Sequence, residues 1–215
     1  MLRLIDLSVG YGTRQVLGSL SYHFPVGSMT ALIGRNGCGK STLLRTMTGL
    51  LPPLSGEVLW NGSEIVDMSL HDLAKTVAAV FTSRHETGML TVREVVEMGR
   101  LPYASLTGHL SEEDRETVRQ SMEIMQVLPL SEKRLDAISD GERQRVMLAK
   151  ALAQQTPAIL LDEPTAFLDY RARPEIMHIL SDLARHSGKT IILTTHEVDL
   201  ARRLCDEVWN LDETA

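Results

Sequence analysis

The chain has 215 residues, 43% of them hydrophobic and 23% charged, which is enough for one sizeable α/β core with at most a small inserted subdomain. No run approaches the roughly 18 consecutive apolar residues of a membrane-spanning helix, and two cysteines, Cys38 and Cys205, are too few for a disulfide framework. With 22 basic against 28 acidic residues the net charge is −6 and no block of Lys or Arg occurs, so the electrostatic footprint of a nucleic-acid binder is missing.

The opening MLRLIDLSV lacks the basic start and long apolar run of a secretory signal, which together with the cysteine usage points to the reducing cytoplasm. Leu2–Val9 and Val16–Phe24 alternate apolar and polar residues as strands do, and Gly10, Gly12 and Thr13 between them predict a hairpin turn. Met29–Ile33 suits a short buried strand, Gly34–Gly39 breaks it, and Ser41–Leu50 resumes with helical spacing of Leu43, Leu44, Met47 and Leu50. Glu57–Trp60 is expected to be a strand closed by an Asn61-Gly62 turn, and Val77–Phe81 another strand. Amphipathic helices are expected over Thr91–Arg100 and Ser111–Leu128, the second opened by Ser111 and the acidic Glu112, Glu113 and Asp114. Alternation then returns with helix Asp140–Gln154, strand Ala158–Leu161, helix Arg171–His186, strand Thr190–Thr194 and helix Val198–Cys205. This order predicts an α/β fold: a P-loop core with a mainly parallel sheet, an N-terminal antiparallel hairpin region and an inserted helical subdomain. Residues 1–82 and 156–215 would form the core of a single domain, and about 83–155 the helical part.

Three segments carry chemistry. Gly34-Arg35-Asn36-Gly37-Cys38-Gly39-Lys40-Ser41-Thr42 fits the phosphate-binding loop in full, between a strand and a helix. Its glycines let backbone N–H groups turn toward phosphates, Lys40 can reach the β- and γ-phosphates, and the Ser41 hydroxyl can ligate Mg²⁺. Ala158-Ile159-Leu160-Leu161 delivers Asp162 and Glu163 at a strand end, where Asp162 would face Mg²⁺ and Glu163 would act as general base toward a water at the γ-phosphate; an acidic pair there can also be an ordinary solvated cap. Between them lies Ile138-Ser139-Asp140-Gly141-Glu142-Arg143-Gln144-Arg145, which otherwise reads as a Ser-capped helix start.

These segments in this order resemble the ABC ATPase family over nearly the whole chain. The resemblance implies ATP and Mg²⁺ as cofactors. It makes Ser139 and Gly141 part of a signature, normally Leu-Ser-Gly-Gly-Gln, that caps the γ-phosphate of ATP held by a partner subunit. Asp140 and Glu142 depart from that pattern, and capping of the helix by its own carboxylate is the favoured reading. Tyr11, with Val16 nearby, resembles the aromatic that stacks on adenine, although a lone Tyr in a hairpin can be simple packing. Asp169 in Phe167-Leu168-Asp169 resembles the aspartate that spans the dimer interface, and His196 the histidine that contacts the γ-phosphate. Where the family places Gln after the strand Val77–Phe81, this chain has Thr82, whose side chain is shorter by roughly 2–3 Å. A water is therefore expected between Thr82 and Mg²⁺, unless Ser83 has taken over.

One cassette with a compact insertion fits a transport ATPase; the competing class, a non-transport ABC protein acting on ribosomes or DNA, carries two cassettes or a long coiled coil. Met98-Gly99-Arg100-Leu101-Pro102-Tyr103 and the segment 199–206 are similar to ATPases of iron–siderophore, haem and cobalamin importers. The resemblance implies an ATP-driven head-to-tail pair with a second copy, permease subunits in the membrane, a substrate-binding protein acting indirectly, and a peripheral place on the inner membrane face. Similar proteins continue some tens of residues past Ala215, which implies a naturally short or trimmed end.

Overall fold

A computed structural model describes residues 1–82, 89–104 and 108–213. The chain opens with β1 (Leu2–Tyr11) and β2 (Arg14–Phe24), joined by a two-residue turn, then β3 (Met29–Ile33) and α1 (Lys40–Met47). β4 (Ser55–Trp60) and β5 (Ser63–Glu64) follow, then α2 (Leu70–Thr76) and β6 (Val77–Val80). α3 (Val92–Glu97), α4 (Glu112–Ile124) and α5 (Asp140–Ala153) come before β7 (Ala158–Asp162), α6 (Ala172–Ser187), β8 (Thr190–Thr194), α7 (Val198–Leu204) and β9 (Glu207–Asn210).

Two sheets result. The antiparallel one has the order β2-β1-β4-β5 and the parallel one β6-β7-β8-β3-β9. In the parallel sheet, β3, β7 and β8 are buried at every position, as strands covered on both faces must be. Alternate residues feed different cores because successive side chains of a strand point to opposite faces. Ile159, Leu161, Ile191 and Leu193 join Met29 and Ala31 against the helices, whereas Ala158, Leu160, Ile192 and Leu32 face α1 and the antiparallel sheet. Helices α3, α4 and α5 bury Val92, Val95, Val118, Met122, Val146 and Leu148 in the first of these clusters, so the helical segment and the parallel sheet share one core.

Several expected boundaries move. Gly10 belongs to β1, paired with Gln15, and the turn is confined to Gly12 and Thr13. α3 stops at Glu97 and continues as a 3₁₀ turn over Met98–Tyr103, because Pro102 cannot continue an α-helix and Gly99 lies against the Lys150 carbonyl, 2.4 Å from where a Cβ would stand. α4 ends at Ile124 rather than Leu128; Gln126 takes φ 59°, which ends the helical run. α2 was not anticipated, yet Ser69 caps it by accepting from the Asp72 N–H, a Ser-x-x-Asp signature visible in the sequence.

One buried ion pair ties the helical segment together. The Arg100 guanidinium, 5% exposed, donates to Asp114 Oδ1 at 2.8 Å and to the Ala153 carbonyl at 2.8 Å, and lies 4.1 Å from the Tyr103 ring centroid. Asp114 also closes the capping box of α4 with Ser111, and bonds from Ser111 and then Arg100 hold its carboxyl below the ordinary range despite burial. Removing one partner of a buried pair leaves an uncompensated charge. Asp114→Ala is expected to lower the unfolding free energy by about 3–5 kcal/mol, measured by urea denaturation. Since the folded pKa is depressed, the Asp114 contribution is present above its unfolded value and lost as pH falls through the folded value; the gap between parent and variant should therefore close in acid.

Candidate active site

The loop of residues 34–39 connects β3 to α1 and forms the floor of a cleft of about 710 Å³. Asn36, Gly37, Gly39, Lys40, Ser41 and Thr42 line it from the loop and helix; Tyr11 and Val16 line it from the hairpin; Glu163 and His196 line it from the ends of β7 and β8. Ten of the residues singled out in the sequence thus share one cavity, drawn from segments up to 185 positions apart. Gly34 and Cys38 complete the loop: a Cβ on Gly34 would stand 2.8 Å from the Cys38 sulfur. Gly39 has φ 108°, and a Cβ there would sit 2.7 Å from Val16 and 2.9 Å from Leu17, so only glycine lets the loop turn into α1 beneath β2.

The polar geometry is closed. The Lys40 ammonium, with the residue 6% exposed, donates to the carbonyls of Gly34 at 2.8 Å and Arg35 at 3.1 Å. Ser41 Oγ donates to Asp162 Oδ1 at 3.0 Å, and Thr194 Oγ1, opposite Asp162 in the β7–β8 register, donates to the same oxygen at 2.8 Å. The Thr194 hydroxyl in turn accepts the Glu163 N–H at 2.9 Å. Glu163 has φ 50°, a left-handed conformation uncommon for a non-glycine residue, and its Oε1 lies 2.6 Å from His196 Nε2. Arg45 donates to the Tyr11 hydroxyl at 3.0 Å, and hydrogen bonding with Thr42 first and Arg45 second holds that phenol below its ordinary value.

The Thr82 hydroxyl donates to the backbone carbonyl of Asp162 at 2.5 Å, so it steadies the strand end from the main chain. Ser83, the alternative, lies outside the described residues. Ser139, Gly141 and Asp169 are not in the cleft but line a separate depression of about 430 Å³. There Glu142 accepts both the Ser139 N–H at 2.8 Å and the Ser139 hydroxyl at 2.7 Å, while Ser139 accepts the Glu142 N–H, a full capping box at the start of α5. These bonds hold the Glu142 carboxyl below its ordinary value. Asp140 is 3.6 Å from Arg143, and Asp169 Oδ1 accepts the N–H groups of Arg171 and Ala172 at 2.9 Å each.

Residues 17–166 match the ABC transporter family. The chain belongs to that family. It is an ATP-binding, ATP-hydrolysing cassette of the ABC type. Among its relatives, the iron(3+)-hydroxamate import ATP-binding protein FhuC of Bacillus subtilis is 41% identical over 198 residues, covering 92% of this chain and 74% of that protein. The ferric enterobactin transport ATP-binding protein FepC of Escherichia coli is 36% identical over 212 residues, covering 99% of this chain and 78% of its own. Among solved structures, a dimeric bacterial ABC transporter cassette superposes with a TM-score of 0.85 at 26% identity, over 98% of this chain and 94% of that one. A post-hydrolysis state of the same kind of cassette, bound to ADP and Pi, gives 0.84 at 26% identity over the same shares.

Sequence reasoning about this ABC cassette missed Arg14, which lines the cleft beside Tyr11, and Thr194, which joins Asp162 to Glu163. Thr194 was visible as the last residue of a strand parallel to the one ending in Asp162, and a hydroxyl at that place was the available signal. The capping box makes a separate expectation. Ser139→Ala removes the acceptor for the Glu142 N–H and should destabilise α5 by about 0.5–2 kcal/mol. Glu142→Gln keeps a side-chain acceptor for Ser139 and should leave thermal unfolding nearly unchanged.

Proposed function

We propose that this ATPase powers import of a metal-chelate or corrinoid cargo, of the iron–siderophore, haem or cobalamin class, through separate membrane subunits. The cargo class rests on relatives named for iron(3+)-hydroxamate, ferric enterobactin and cobalamin import. No helix among the described residues is long and apolar enough to cross a membrane, which fits a subunit held on the cytoplasmic face by permease subunits, with a substrate-binding protein acting only through them. A net charge of −6 gives no support to a nucleic-acid partner.

The observation that carries the catalytic reading is the 2.6 Å contact of Glu163 with His196 on the wall of the cleft that residues 34–42 floor. In this reading Lys40 exchanges its two carbonyl contacts for the β- and γ-phosphates, and loop N–H groups from Asn36 to Thr42 take the remaining charge. Glu163 accepts the proton of the attacking water, and His196, hydrogen-bonded to Glu163, faces the γ-phosphate. Tyr11 stacks on the base with Val16 beneath. Ser41 and Asp162, an all-oxygen pair 3.0 Å apart beside the loop, suit Mg²⁺, the described residues hold no cluster of three or more His, Cys, Asp or Glu that could bind a metal, and phosphate oxygens and water would complete its shell. When bound, the ion neutralises charge that develops on the phosphates during transfer. Thr82 acts on this pair only through the Asp162 backbone, and a water at the ion is left to the site.

The signature residues Ser139 and Gly141 and the loop residue Asp169 occupy a depression separate from the nucleotide cleft, which supports two copies meeting head to tail with each ATP between the loop of one and the signature of the other. A dimeric cassette among the similar solved structures supports the same arrangement.

Replacing the base while leaving the phosphate contacts intact tests both halves of this reading. Glu163→Gln is expected to lower ATP turnover by about 10²–10⁴-fold while retaining nucleotide binding, and to run as a dimer by light scattering at saturating Mg-ATP. A monomeric variant under those conditions would sink the sandwich, and a variant with most of its turnover would move the base elsewhere. Co-purification of membrane subunits rather than ribosomes separates transport from the alternative non-transport class.

A further inference from the structure

Two long basic side chains, Lys40 and Arg14, line the nucleotide cleft. Lys40 is engaged within the chain by the carbonyls of Gly34 and Arg35, at 2.8 and 3.1 Å. Arg14 is exposed on the hairpin side, and its guanidinium makes no hydrogen bond or ion pair among the described residues. The arginines closest to the same segments are already committed: Arg45 donates to the Tyr11 hydroxyl at 3.0 Å, and Arg35 stands 3.5 Å from Asp212 Oδ1. The cleft thus has a cation whose partner lies outside the described residues.

The hairpin fixes where Arg14 stands. It pairs with Tyr11 directly across the Gly12-Thr13 turn, and directly opposed residues of an antiparallel pair carry their side chains on one face, with Cβ atoms about 5 Å apart. The strands close tightly at this end, since a Cβ on Gly10 would stand 2.0 Å from the Arg14 carbonyl oxygen. Next along, the register passes from Gly10 opposite Gln15 to Val9 opposite Leu17, which leaves Val16 as the extra residue of a bulge in β2. With that bulge both Arg14 and Val16 line the cleft, and Val16 Cγ1 lies 2.7 Å from where a Cβ on Gly39 would stand. Arg14 is therefore beside the Tyr11 ring and two residues from the side chain that touches the phosphate loop.

We infer that Arg14 is a nucleotide-binding residue whose guanidinium meets the phosphate chain where it leaves the ribose. On the reading given above, the base lies on Tyr11 and the β- and γ-phosphates lie on Lys40 and the loop. The ribose and α-phosphate must then pass between Tyr11 and Gly39, the span that Arg14 and Val16 border. An arginine suits that place: its aliphatic stem can lie along Val16 while its planar fork of donors meets phosphate oxygens. Such a contact strengthens binding of any nucleotide, whereas a guanidinium on the base edge would favour one base over another. The inference rests on the cleft being the nucleotide site, and Lys40→Ala serves as the reference that tests that reading separately.

Isothermal titration calorimetry of the full chain with Mg-ADP and with Mg-GDP tests the contact; diphosphates are used because the pairing of two copies proposed above is driven by ATP. Arg14→Ala is expected to bind both nucleotides about tenfold more weakly, equivalent to 1.4 kcal/mol. In steady-state ATP hydrolysis the loss should fall on KM rather than on kcat, as it does for a contact made equally before and during phosphoryl transfer. Arg14→Lys keeps the charge without the fork and should lose less than about threefold, and the affinity of the parent should fall more steeply with added KCl than that of Arg14→Ala. A loss with ADP but not with GDP would place the guanidinium on the base and overturn the phosphate contact. Arg14→Lys as weak as Arg14→Ala, or equal salt dependence in the parent and Arg14→Ala, would remove charge as the cause and overturn it too. If Arg14→Ala binds both nucleotides like the parent while Lys40→Ala has lost affinity, Arg14 is no ligand and the cleft reading stands. If both variants bind like the parent, the cleft reading fails and takes this inference with it. Should Arg14→Ala fail to fold, Arg14→Gln, which keeps much of the stem, decides: a tenfold loss with both nucleotides supports the contact, and parent-like binding overturns it.

Discussion

The carboxylate of Asp162 is the junction on which the site is built. It is 6% exposed, and a buried carboxylate is tolerable only when its lone pairs are met. The partners come from three different parts of the fold: Ser41 from the first turn of α1, Thr194 from the end of β8, and, on the carbonyl of the same residue, Thr82 from just past β6. The Thr194 contact requires β8 to end level with β7. A slip of one residue in the β7–β8 register would point Thr194 to the other face and leave Asp162 short of a donor. The register that buries Ile159 and Leu161 on one side of the sheet and Leu160 on the other is thus the register that satisfies Asp162.

From that junction the chemistry extends outward through hydroxyls and backbone. Thr194 donates to Asp162 and accepts from Glu163, so the residue that supports the buried carboxylate also fixes where the next carboxylate begins. Glu163 leaves the strand with φ 50°, and this turn of the backbone accompanies a side chain that meets His196. Beyond His196, Glu197 Oε1 accepts from Thr165, two residues after Glu163, at 3.1 Å, and from Arg173 at 3.3 Å. Arg173 also holds the Leu168 carbonyl at 3.0 Å, next to Asp169. A continuous set of bonds therefore joins the cleft to the loop that carries Asp169.

Much of this was legible in the sequence, for identifiable reasons. β3 and β8 were read to the residue because a buried parallel strand is a short, mostly apolar run, broken here only by threonines, that stops sharply at Gly34 or at the polar His196 segment. The start of α4 was legible because Ser111 precedes an acidic first turn, Glu112, Glu113 and Asp114, whereas its end was not: Met125, Val127 and Leu128 continue the apolar pattern beyond Ile124, where the helix stops and Gln126 turns left-handed. Val127 is fully buried all the same, so hydrophobicity reports burial there and not helix. The cleft residues on the 34–42 loop followed from a local motif, but Arg14 and Thr194 depend on which strands become neighbours, and no local spacing encodes that. The strand before Thr82 ends at Val80 and not at Phe81, and the Thr82 hydroxyl takes a partner that no local spacing encodes, the main-chain carbonyl at the end of a neighbouring strand.

The acidic signature segment illustrates how local bonding changes what a charge can do. In the sequence, Asp140 and Glu142 put two carboxylates beside a serine expected to meet phosphate. In the fold, Glu142 is turned back on Ser139, accepting its N–H and hydroxyl, and lies at the N-terminus of a 14-residue helix whose partial positive charge favours it. Asp140 lies near Arg143 one turn along. Both carboxylates are thus partly compensated within α5, and Gly141, without a side chain, stands between them. A phosphate approaching Ser139 would meet a hydroxyl whose proton already has an acceptor, so engagement requires that hydroxyl to rotate. A glutamine at position 142 would offer the same acceptor oxygen to Ser139, which is why the exchange of Gln for Glu preserves the local geometry and alters chiefly the field in front of it.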